Sequence, residues 1–383
     1  MFSPFSFSME SSTHRLVAFA KELVEHGDEV CIIMPSSDKH SNFNVRKVNY
    51  SRGIEIIQPY HPKTHLLELS TLPYIISSLL KTLPLDFDII HVLKPLPINW
   101  GSYALTPLRR IPMVQDMDDL DSNVMRAQNQ SSFRIKIVEQ SEIFLPKFSG
   151  HITTCSSVLK RFFIDRGFKD EQVTWLPNGV ETELFATKPN SSLKNKLNLN
   201  DKVLVYLGRM DNKYQVYPLI RAMELIVKQR TDVSCLIIGD GDAKPFFQQT
   251  VKARAISDYF NFVGRIPFGN VPEYLSICDI GFACCPPPLI STGGALKVFM
   301  YMAACIPVVV NPVGDLPYYI DGGNAGVVTQ LDPKNLSNAF LELLENEPLR
   351  RKKGQHAANY VRTNFDWSVL VKRLQKVYRG ISG

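Results

Sequence analysis

Two stretches of the chain carry residue types whose spacing could do chemistry. Residues 111–121 read IPMVQDMDDLD, so four carboxylates fall within six residues directly after a predicted strand. Residues 291–294 read STGG and lead into a helix-period segment at 296–304. Four carboxylates packed together are costly unless they have a use, and a Gly-containing loop at a helix N-terminus suits a phosphate-sized anion. The sequence thus offers a candidate acid–base site and a candidate anion site.

Both stretches, and one histidine, also have structural interpretations. The acidic run, which contains Asp118 and Asp119, would equally form a solvated or helix-capping loop, and a metal site is a third interpretation. The STGG loop would equally precede an ordinary core helix. His91 lies near the end of a predicted strand at 88–92. Such strand ends face the ligand crevice of a doubly wound sheet, although a single histidine there is more often structural.

The elements that must position these residues alternate between strands and helices. Apolar strands of the second half run into turn residues at 203–209 (VLVYLGR), 235–241 (CLIIGDG) and 262–266 (FVGRI). Helix-period segments separate them, and the first half shows the same alternation. Its first strand is expected to be short or absent, because Met1-Phe2 leads straight into Ser3-Pro4. The pattern predicts an α/β protein.

Length and composition bound the class of protein. At 383 residues the chain suits two domains of about 180 residues each. Its net charge of +6 is too mild for a nucleic-acid-binding tail but is compatible with anionic substrates or an anionic membrane surface. The seven cysteines show no Cys-x-x-Cys spacing, and the sequence has neither a leader pattern nor an apolar run of 18 residues. We therefore expect reduced core cysteines and a cytoplasmic location.

Four motifs taken in order resemble glycosyltransferase family 4, the group 1 glycosyltransferases. They are LGRMD at 207–211, LIIGDGD at 236–242, FVGRIPFGNVPEYLSICDIGF at 262–282 and LKVFMYMAACIPVVV at 296–310. The resemblance implies the GT-B fold, in which two Rossmann-like domains face each other across a cleft and a C-terminal helix crosses back to the first domain. It implies an acceptor-side domain at 1–180, a nucleotide-sugar-binding domain at 181–363 and the crossover helix at 364–383.

The resemblance also implies a retaining hexosyltransferase whose donor is a UDP- or GDP-sugar, with neither a cofactor nor a metal. The implied donor-binding residues are Arg209, Lys213, Gly264, Arg265, Ile266, Thr292, Gly293, Gly294, Ala295, Lys297 and Met300. The Arg209 guanidinium would neutralise the diphosphate together with Lys213 or Lys297. On the acceptor side, Asp118 and His91 would face the acceptor and the transferred sugar, and Asp118 would take a proton if burial keeps a carboxyl pKa near neutral.

Several positions depart from the family pattern. Tyr214 stands where the family has a lysine, Met300 where a glutamate grips the ribose, Thr292 where much of the family has a glutamate, and Cys305 where a glycine is usual. Losing a charge-assisted contact would cost on the order of 1.5–3 kcal/mol for each ligand group. The departures motivate an alternative, in which the chain is a catalytically impaired homologue that acts as a partner or scaffold subunit of another glycosyltransferase.

The implied acceptor is a glycan or a lipid-linked molecule, as in polysaccharide biosynthesis. Two segments bear on a peripheral membrane location. Residues 66–83 form an apolar helix-period segment, which we expect to be a buried helix rather than a membrane-surface patch. Residues 124–148 predict one helix that mixes basic and apolar residues, which suits anionic lipid but equally an ordinary amphipathic helix.

Overall fold

The computed structural model describes residues 1–4, 11–35, 46–51, 53–59, 67–210, 216–285 and 296–382. These residues form two compact units, each built around its own largely parallel sheet. The first unit contains residues 1–178 and 367–382, and the second contains residues 179–285 and 296–366. The first unit is therefore assembled from both ends of the chain.

The sheet of the first unit has a three-stranded part and a four-stranded part. The strands are β1 (Val30–Ile33), β2 (Arg46–Ser51), β3 (Ile54–Gln58), β4 (Ile90–Leu93), β5 (Met113–Met117), β6 (His151–Thr154) and β7 (Val173–Trp175). Their order is β2-β3-β1 and β4-β5-β6-β7, and only β2 and β3 pair antiparallel. The helices between them are α1 (Ser11–Glu25), α2 (Leu67–Thr82), α3 (Trp100–Arg109), α4 (Asp121–Ala127), α5 (Ser132–Phe144) and α6 (Ser157–Ile164).

Residues at the start of the chain join the two parts of this sheet. Phe2 forms parallel bridges to Ile33 of β1 and to Val92 of β4. Its backbone nitrogen donates to the His91 carbonyl at 2.8 Å, and the Leu93 nitrogen donates to the Phe2 carbonyl at 2.9 Å. The expected first strand is therefore short rather than absent. The parallel strands then run in the order β3, β1, Phe2, β4, β5, β6, which reverses between Phe2 and β4 as in a doubly wound sheet.

Two helix predictions for the first unit are wrong in part. The segment 124–148 is not one helix, because Asn129 adopts a left-handed backbone (φ 54°) and separates α4 from α5. The helix predicted at 66–83 exists as α2, but it is not buried all round. One face packs inward through Tyr74, Ser78 and Thr82, whereas the opposite face leaves Leu72, Ile76 and Leu80 between 50% and 63% exposed.

The second unit is built on a six-stranded, fully parallel sheet. Its strands are β8 (Lys202–Leu207), β9 (Val233–Ile238), β10 (Phe260–Gly264), β11 (Ile280–Ala283), β12 (Val308–Val310) and β13 (Gly326–Val328). The order is β10-β9-β8-β11-β12-β13, so the succession reverses between β8 and β11. Ligands of doubly wound sheets bind outside the carboxyl ends of the strands at this reversal, which we call the switch point of each sheet.

The helices of the second unit pack against both faces of its sheet. They are α7 (Ser191–Lys196), α8 (Tyr217–Ile226), α9 (Lys244–Ala253), α10 (Val271–Leu275), α11 (Leu296–Ala303), α12 (Leu316–Gly322), α13 (Pro333–Glu345) and α14 (Glu347–Asn364). The segments that begin and end this unit are hydrogen-bonded to each other. The Val180 nitrogen donates to the Phe365 carbonyl at 3.0 Å, and the Thr182 hydroxyl donates to Asp366 at 2.7 Å.

The last helix, α15 (Trp367–Ser382), belongs to the core of the first unit. Trp367 is fully buried and meets Phe19 of α1 edge to face, with ring centroids 5.0 Å apart. Leu370, Val371 and Leu374 continue the same apolar cluster. The register of α15 matters for the site described next, because its Tyr378 reaches His91 of β4.

Candidate functional site

At the switch point of the first unit, the residue after β4 is a buried lysine. Lys94 is 2% exposed and has a left-handed backbone with φ 57°. A non-glycine residue in that conformation costs roughly 1–2 kcal/mol. Its backbone nitrogen donates to the Asp116 carbonyl at 2.9 Å, and Asn99 donates its side-chain amide to the Lys94 carbonyl at 3.1 Å. The turn that directs this side chain is therefore fixed on both sides.

The acidic run that follows β5 surrounds the Lys94 ammonium. The Nζ atom lies 3.0 Å from Asp121 Oδ1 and 3.4 Å from Asp118 Oδ1. Burial lowers the pKa of Lys94, but the carboxylates of Asp118, Asp121 and Asp119 outweigh it, and the net pKa lies well above its usual value. The lysine is therefore a permanent cation among carboxylates. The acidic run is thus neither a solvated loop nor a simple helix cap.

Asp119 differs from its neighbours. Burial raises its pKa, the Lys94 charge lowers it, and Asp118 and Asp121 raise it again, for a value of about 7. Its Oδ1 atom accepts a hydrogen bond from the Leu120 nitrogen at 2.8 Å. The sequence argument made proton transfer by Asp118 depend on a carboxyl pKa near neutral, and in the structure the group with that pKa is its neighbour Asp119.

Asp116 is held separately by an arginine from α1. Arg15, which is 1% exposed, donates from Nε to Asp116 Oδ2 at 2.8 Å and from Nη2 to Oδ1 at 2.9 Å. Its remaining donors reach the Leu176 and Pro177 carbonyls. Thr153 adds a hydroxyl donor to Asp116 at 2.7 Å. Although burial opposes it, the Arg15 charge holds the pKa of Asp116 well below its usual range. This buried pair ties α1, β5 and β7 together.

His91 belongs to the same buried network. It is 2% exposed, its Nε2 atom lies 3.6 Å from Asp116 Oδ2, and its Nδ1 atom lies 2.9 Å from the Tyr378 hydroxyl. Burial is the main cause of its lowered pKa, so the neutral imidazole is favoured. These contacts are those of a structural histidine. They do not support the expectation that His91 faces an acceptor, and we leave it out of the proposed catalytic group.

At the switch point of the second unit, the chain leaves β8 through Gly208 and Arg209. Gly208 has φ 147° and Gly239, which follows β9, has φ 134°. A Cβ atom on Gly239 would lie 1.9 Å from the Gly208 carbonyl oxygen, so the two strand ends touch. Arg209 is exposed, and its own carbonyl accepts a hydrogen bond from the Tyr206 hydroxyl at 2.8 Å. The contact between Gly208 and Gly239 and the hydrogen bond from Tyr206 thus fix the backbone position of Arg209.

Lys297, in the first turn of α11, lies against the same strand end. A Cβ atom on Gly208 would be 2.6 Å from Lys297 Nζ, and Nζ sits 4.4 Å from the centroid of the Tyr206 ring. Burial lowers the pKa of Lys297, and the thiols of Cys284 and Cys285 at the end of β11 oppose this shift. Among the described residues, no carboxylate forms an ion pair with it. The residues at this switch point therefore present a half-buried cation and an exposed guanidinium.

Other predicted donor-site residues also lie at this edge of the sheet. Gly264 ends β10 with φ 79°, and its carbonyl accepts a hydrogen bond from the Gly239 nitrogen at 2.8 Å. Arg265, which is exposed, and Ile266 follow it. Met300 is 9% exposed on α11, and its thioether does not offer the carboxylate that the family uses there. The predicted residues Lys213, Thr292, Gly293, Gly294 and Ala295, together with Tyr214, lie outside the described residues.

Cys285, which follows β11, is held by a side chain from the end of β12. Asn311, just after β12, is 4% exposed. Its side-chain amide donates to the Cys285 carbonyl at 3.1 Å, and its Oδ1 atom accepts from the Cys285 nitrogen at 2.9 Å. A paired amide of this kind fixes the direction in which the chain leaves β11.

Sequence reasoning missed Lys94 and Arg15. Lys94 could have been found by the argument that selected His91, because β4 runs from Ile90 to Leu93 rather than over 88–92, so its carboxyl end is marked by Lys94 and not by His91. Arg15 carried no local signal, since its partner Asp116 lies 101 residues away in the sequence. Among the described residues, no group of three or more His, Cys, Asp or Glu side chains is arranged to hold a metal ion. Within the same described ranges, no helix is both long enough and apolar enough to span a bilayer.

Comparison with known proteins matches a family model to each half of the chain. The family model "Glycosyltransferase Family 4" matches residues 13–184, and the model "Glycosyl transferases group 1" matches residues 187–360. Among curated proteins, phosphatidyl-myo-inositol mannosyltransferase of Mycolicibacterium smegmatis is 24% identical over 391 residues, which covers all of this chain and 94% of that protein. N-acetyl-alpha-D-glucosaminyl L-malate synthase of Bacillus anthracis is 23% identical over 76% of this chain and 74% of its own length.

Solved structures show the same fold. Sucrose-phosphate synthase from Thermosynechococcus elongatus superposes with a TM-score of 0.78 at 18% identity, covering 97% of this chain and 94% of that one. HepE from Anabaena, solved in complex with UDP, gives a TM-score of 0.75 at 16% identity and covers 99% of each chain. The fold is therefore GT-B, as the sequence motifs predicted. The two family models, which together match most of the sequence, show that this chain is a group 1 glycosyltransferase of glycosyltransferase family 4.

Proposed function

We propose that the protein transfers a hexose from a UDP- or GDP-sugar to a glycan or lipid-linked acceptor, with retention of configuration at the anomeric carbon. The observation that carries this proposal is the half-buried Lys297 beside Gly208 at the switch point of the second unit. Among the described residues no carboxylate pairs with this ammonium, and a cation placed in this way favours the approach of an anion. A diphosphate leaving group supplies that anion.

The relatives support a sugar-nucleotide donor. HepE was solved with UDP, and another relative, from Corynebacterium glutamicum, is named a GDP-mannose-dependent mannosyltransferase. In the proposed reaction the bond from the anomeric carbon to the diphosphate oxygen breaks, and a bond from that carbon to the acceptor oxygen forms. Arg209 and Lys297 would stabilise the charge that develops on the leaving oxygen. Asp118 would orient the acceptor hydroxyl and draw off its proton.

The alternative of a catalytically impaired partner subunit gains no support from these relatives. The two curated relatives described above and sucrose-phosphate synthase are each named for a transferase or synthase activity. Met300 remains a departure at the position that would grip the ribose, and it weakens donor binding in this proposal without removing the diphosphate contacts.

The test is binding and transfer in Arg209→Ala. Thermal unfolding of the full chain would be followed with millimolar UDP, GDP and ADP, and sugar transfer or donor hydrolysis with UDP-glucose and GDP-mannose. A nucleotide at 100 times its dissociation constant should stabilise the wild type by about 2.7 kcal/mol. Arg209→Ala should lose most of that stabilisation and of the turnover. The control Arg351→Ala changes an exposed arginine on α14 and should behave like the wild type. Undiminished transfer by Arg209→Ala would contradict the proposal.

We further propose that the first unit contacts an anionic membrane surface. Its exposed apolar side chains include Leu72, Ile76 and Leu80 on α2. A groove of about 570 Å³ lies nearby, lined by Trp100 at the start of α3 and by residues of α5. α2 packs directly against α3, so these surfaces lie on neighbouring helices. The other lining residues are Phe133, Lys136, Ile137, Gln140, Ser141, Phe144 and Leu145. Apolar side chains beside a lysine suit the boundary between acyl chains and anionic headgroups.

Vesicle co-sedimentation tests this contact. Wild-type protein should bind vesicles that contain phosphatidylglycerol and release them at high salt, and Phe133→Ser should bind less. Phe268→Ser is the control, because it changes an exposed aromatic residue of the second unit, although Phe268 is 43% exposed and Phe133 is 69% exposed. Equal binding by wild type and Phe133→Ser would assign any lipid contact to another surface.

A further inference from the structure

One buried aromatic side chain contacts both cationic residues of the second switch point. Tyr206, the fifth residue of β8, is fully buried and precedes Arg209 by three residues. Its hydroxyl donates to the Arg209 carbonyl at 2.8 Å, and its ring centroid lies 4.4 Å from Lys297 Nζ. A single tyrosine therefore touches the backbone of one cationic residue and the charged group of the other.

The register of α11 against β8 and β11 brings Lys297 to this ring. Tyr301, one turn further along α11, is fully buried. Its hydroxyl accepts a hydrogen bond from the Leu207 nitrogen at 2.7 Å and donates to the Phe282 carbonyl at 3.3 Å. Residues four apart lie on the same face of a helix, so the anchor at Tyr301 also turns Lys297 toward the strand that carries Tyr206.

Gly208 leaves the space that the Lys297 ammonium occupies. A Cβ atom on Gly208 would lie 2.6 Å from Lys297 Nζ and 3.5 Å from the Tyr206 hydroxyl oxygen. A lysine ammonium near the face of a tyrosine ring is attracted by the negative face of the ring, and more strongly where water is excluded. The ring thus orients this ammonium without neutralising its charge, as a carboxylate would.

We propose that Tyr206 is a positioning residue for the diphosphate of the donor, because its ring orients the Lys297 ammonium and its hydroxyl fixes the Arg209 backbone. This inference rests on the proposed function, in which both cations meet the diphosphate. Tyr206 acts through them and does not itself touch the substrates. An ammonium that is already oriented loses less side-chain entropy when the anion binds, so it contributes more to affinity.

The ratio of nucleotide affinity to nucleoside affinity measures the diphosphate contribution. Calorimetric titration of the full chain with UDP and uridine, and with GDP and guanosine, gives this ratio for each variant. Tyr206→Phe keeps the ring and should lower the ratio about threefold, through the lost hydrogen bond to Arg209. Tyr206→Leu removes the ring as well, and the ratio should fall by roughly a further fivefold to thirtyfold.

The same two substitutions combined with Lys297→Met separate positioning from packing. If the ring acts through the ammonium, Tyr206→Phe and Tyr206→Leu should give equal ratios in that background. A ring that only fills the core would keep the two variants different there, which would overturn the inference. Phe340→Leu removes a fully buried ring from the same apolar core, on α13, and should leave the ratio at its wild-type value.

Ring fluorination tests the same contact with almost no change in core volume. In Tyr206→Phe, fluorines on the phenylalanine ring withdraw electron density from its face, so the ratio should fall with each added fluorine. This series decides the question even if Tyr206→Leu does not fold.

These measurements separate the inference from the proposed function. The inference is overturned, and the proposed function stands, if the ratio falls in Lys297→Met but is the same in Tyr206→Phe and Tyr206→Leu and does not respond to fluorination. A wild-type protein that binds UDP no better than uridine, and GDP no better than guanosine, contradicts both.

Discussion

The two sheets of this protein each place a lysine at the switch point, and the two lysines have opposite surroundings. Lys94 in the first unit lies among carboxylates of the same unit, which raise its pKa. Lys297 in the second unit lies against Gly208 and the Tyr206 ring, and burial lowers its pKa. The first cation is already neutralised by the fold. The second has no carboxylate partner among the described residues, which is the arrangement expected when a substrate supplies the anion.

The surroundings of the two lysines also predict how removing each kind of cation changes the free energy of unfolding. Burying a charge is costly unless a partner offsets it. In the first unit, removing a cation should therefore damage the fold. In the second unit, removing Lys297 should relieve a cost and damage only ligand binding, in line with the trade-off between stability and activity at functional sites.

The largest effect is expected for Arg15→Met, which breaks the most completely paired charge of the first unit. It leaves Asp116 buried without its main partner, and we expect a loss of about 3–5 kcal/mol in the free energy of unfolding, measured by urea denaturation. Adding Asp116→Asn to this variant should recover part of the loss, because no lone charge then remains. Arg126→Met, in the exposed pair with Glu139, should change stability by less than about 1 kcal/mol. A loss of less than about 1 kcal/mol in Arg15→Met would contradict the idea that paired buried cations stabilise the first unit.

Lys297→Met makes the same kind of substitution in the second unit, with the opposite expected effect on stability. Without nucleotide, the free energy of unfolding should stay constant or rise by on the order of 1 kcal/mol. Affinity for UDP or GDP should fall by about 1.5–3 kcal/mol, roughly tenfold to a hundredfold, because a charge-assisted contact is lost. Calorimetric titration with each nucleotide measures the second quantity. Destabilisation similar to that of Arg15→Met would show that Lys297 is a structural cation.

The third expected effect concerns pH and Asp119→Asn. Because the pKa of Asp119 is raised to about 7 in the folded protein and is near 3.9 when unfolded, the wild type loses stability as the pH rises through this interval. The amide stays neutral, so Asp119→Asn should be more stable relative to wild type at pH 8 than at pH 4. Thermal unfolding at the two pH values measures the difference. An equal effect at both would mean that Asp119 titrates normally.

Asp116 should give the opposite pH dependence. Its folded pKa is depressed by Arg15, so the pair contributes stability above the unfolded value near 3.9, and this contribution is lost as the pH falls below it.

The fold and half of the site could be read from local sequence. Continuous apolar strands that end in glycine placed Gly208, Arg209 and Gly264 at one sheet edge, since the strand period and the turn chemistry are local properties. The exposed stripe of α2 was misjudged because its buried face is the more polar one, with Tyr74, Ser78 and Thr82 turned inward. Small side chains are favoured on this face of α2 because α3 approaches it closely. A Cβ atom on Gly101 of α3 would lie only 3.1 Å from the Ser78 hydroxyl oxygen.

What local sequence could not give was the pairing of charges. The acidic run was visible in the sequence, but its counter-ion Lys94 lies 27 residues before Asp121. The intervening sequence does not indicate the turn that directs the Lys94 side chain toward these carboxylates. His91 was expected to face the acceptor because the predicted strand at 88–92 placed it near the carboxyl end, whereas it is the second residue of β4. Its true surroundings depend on Tyr378, which is 287 residues away in the sequence.

The place of α15 in the first unit has a consequence for the order of synthesis. The described residues of the second unit all lie between positions 179 and 366, and its two ends are joined by the hydrogen bond between Val180 and Phe365, so its chain is complete once about residue 366 has left the ribosome. The first unit begins earlier but lacks Trp367 and the rest of α15 until translation reaches the end of this sequence. Domains usually mature in the order of their synthesis. Here the later unit should mature first, with α1 awaiting the helix that covers it.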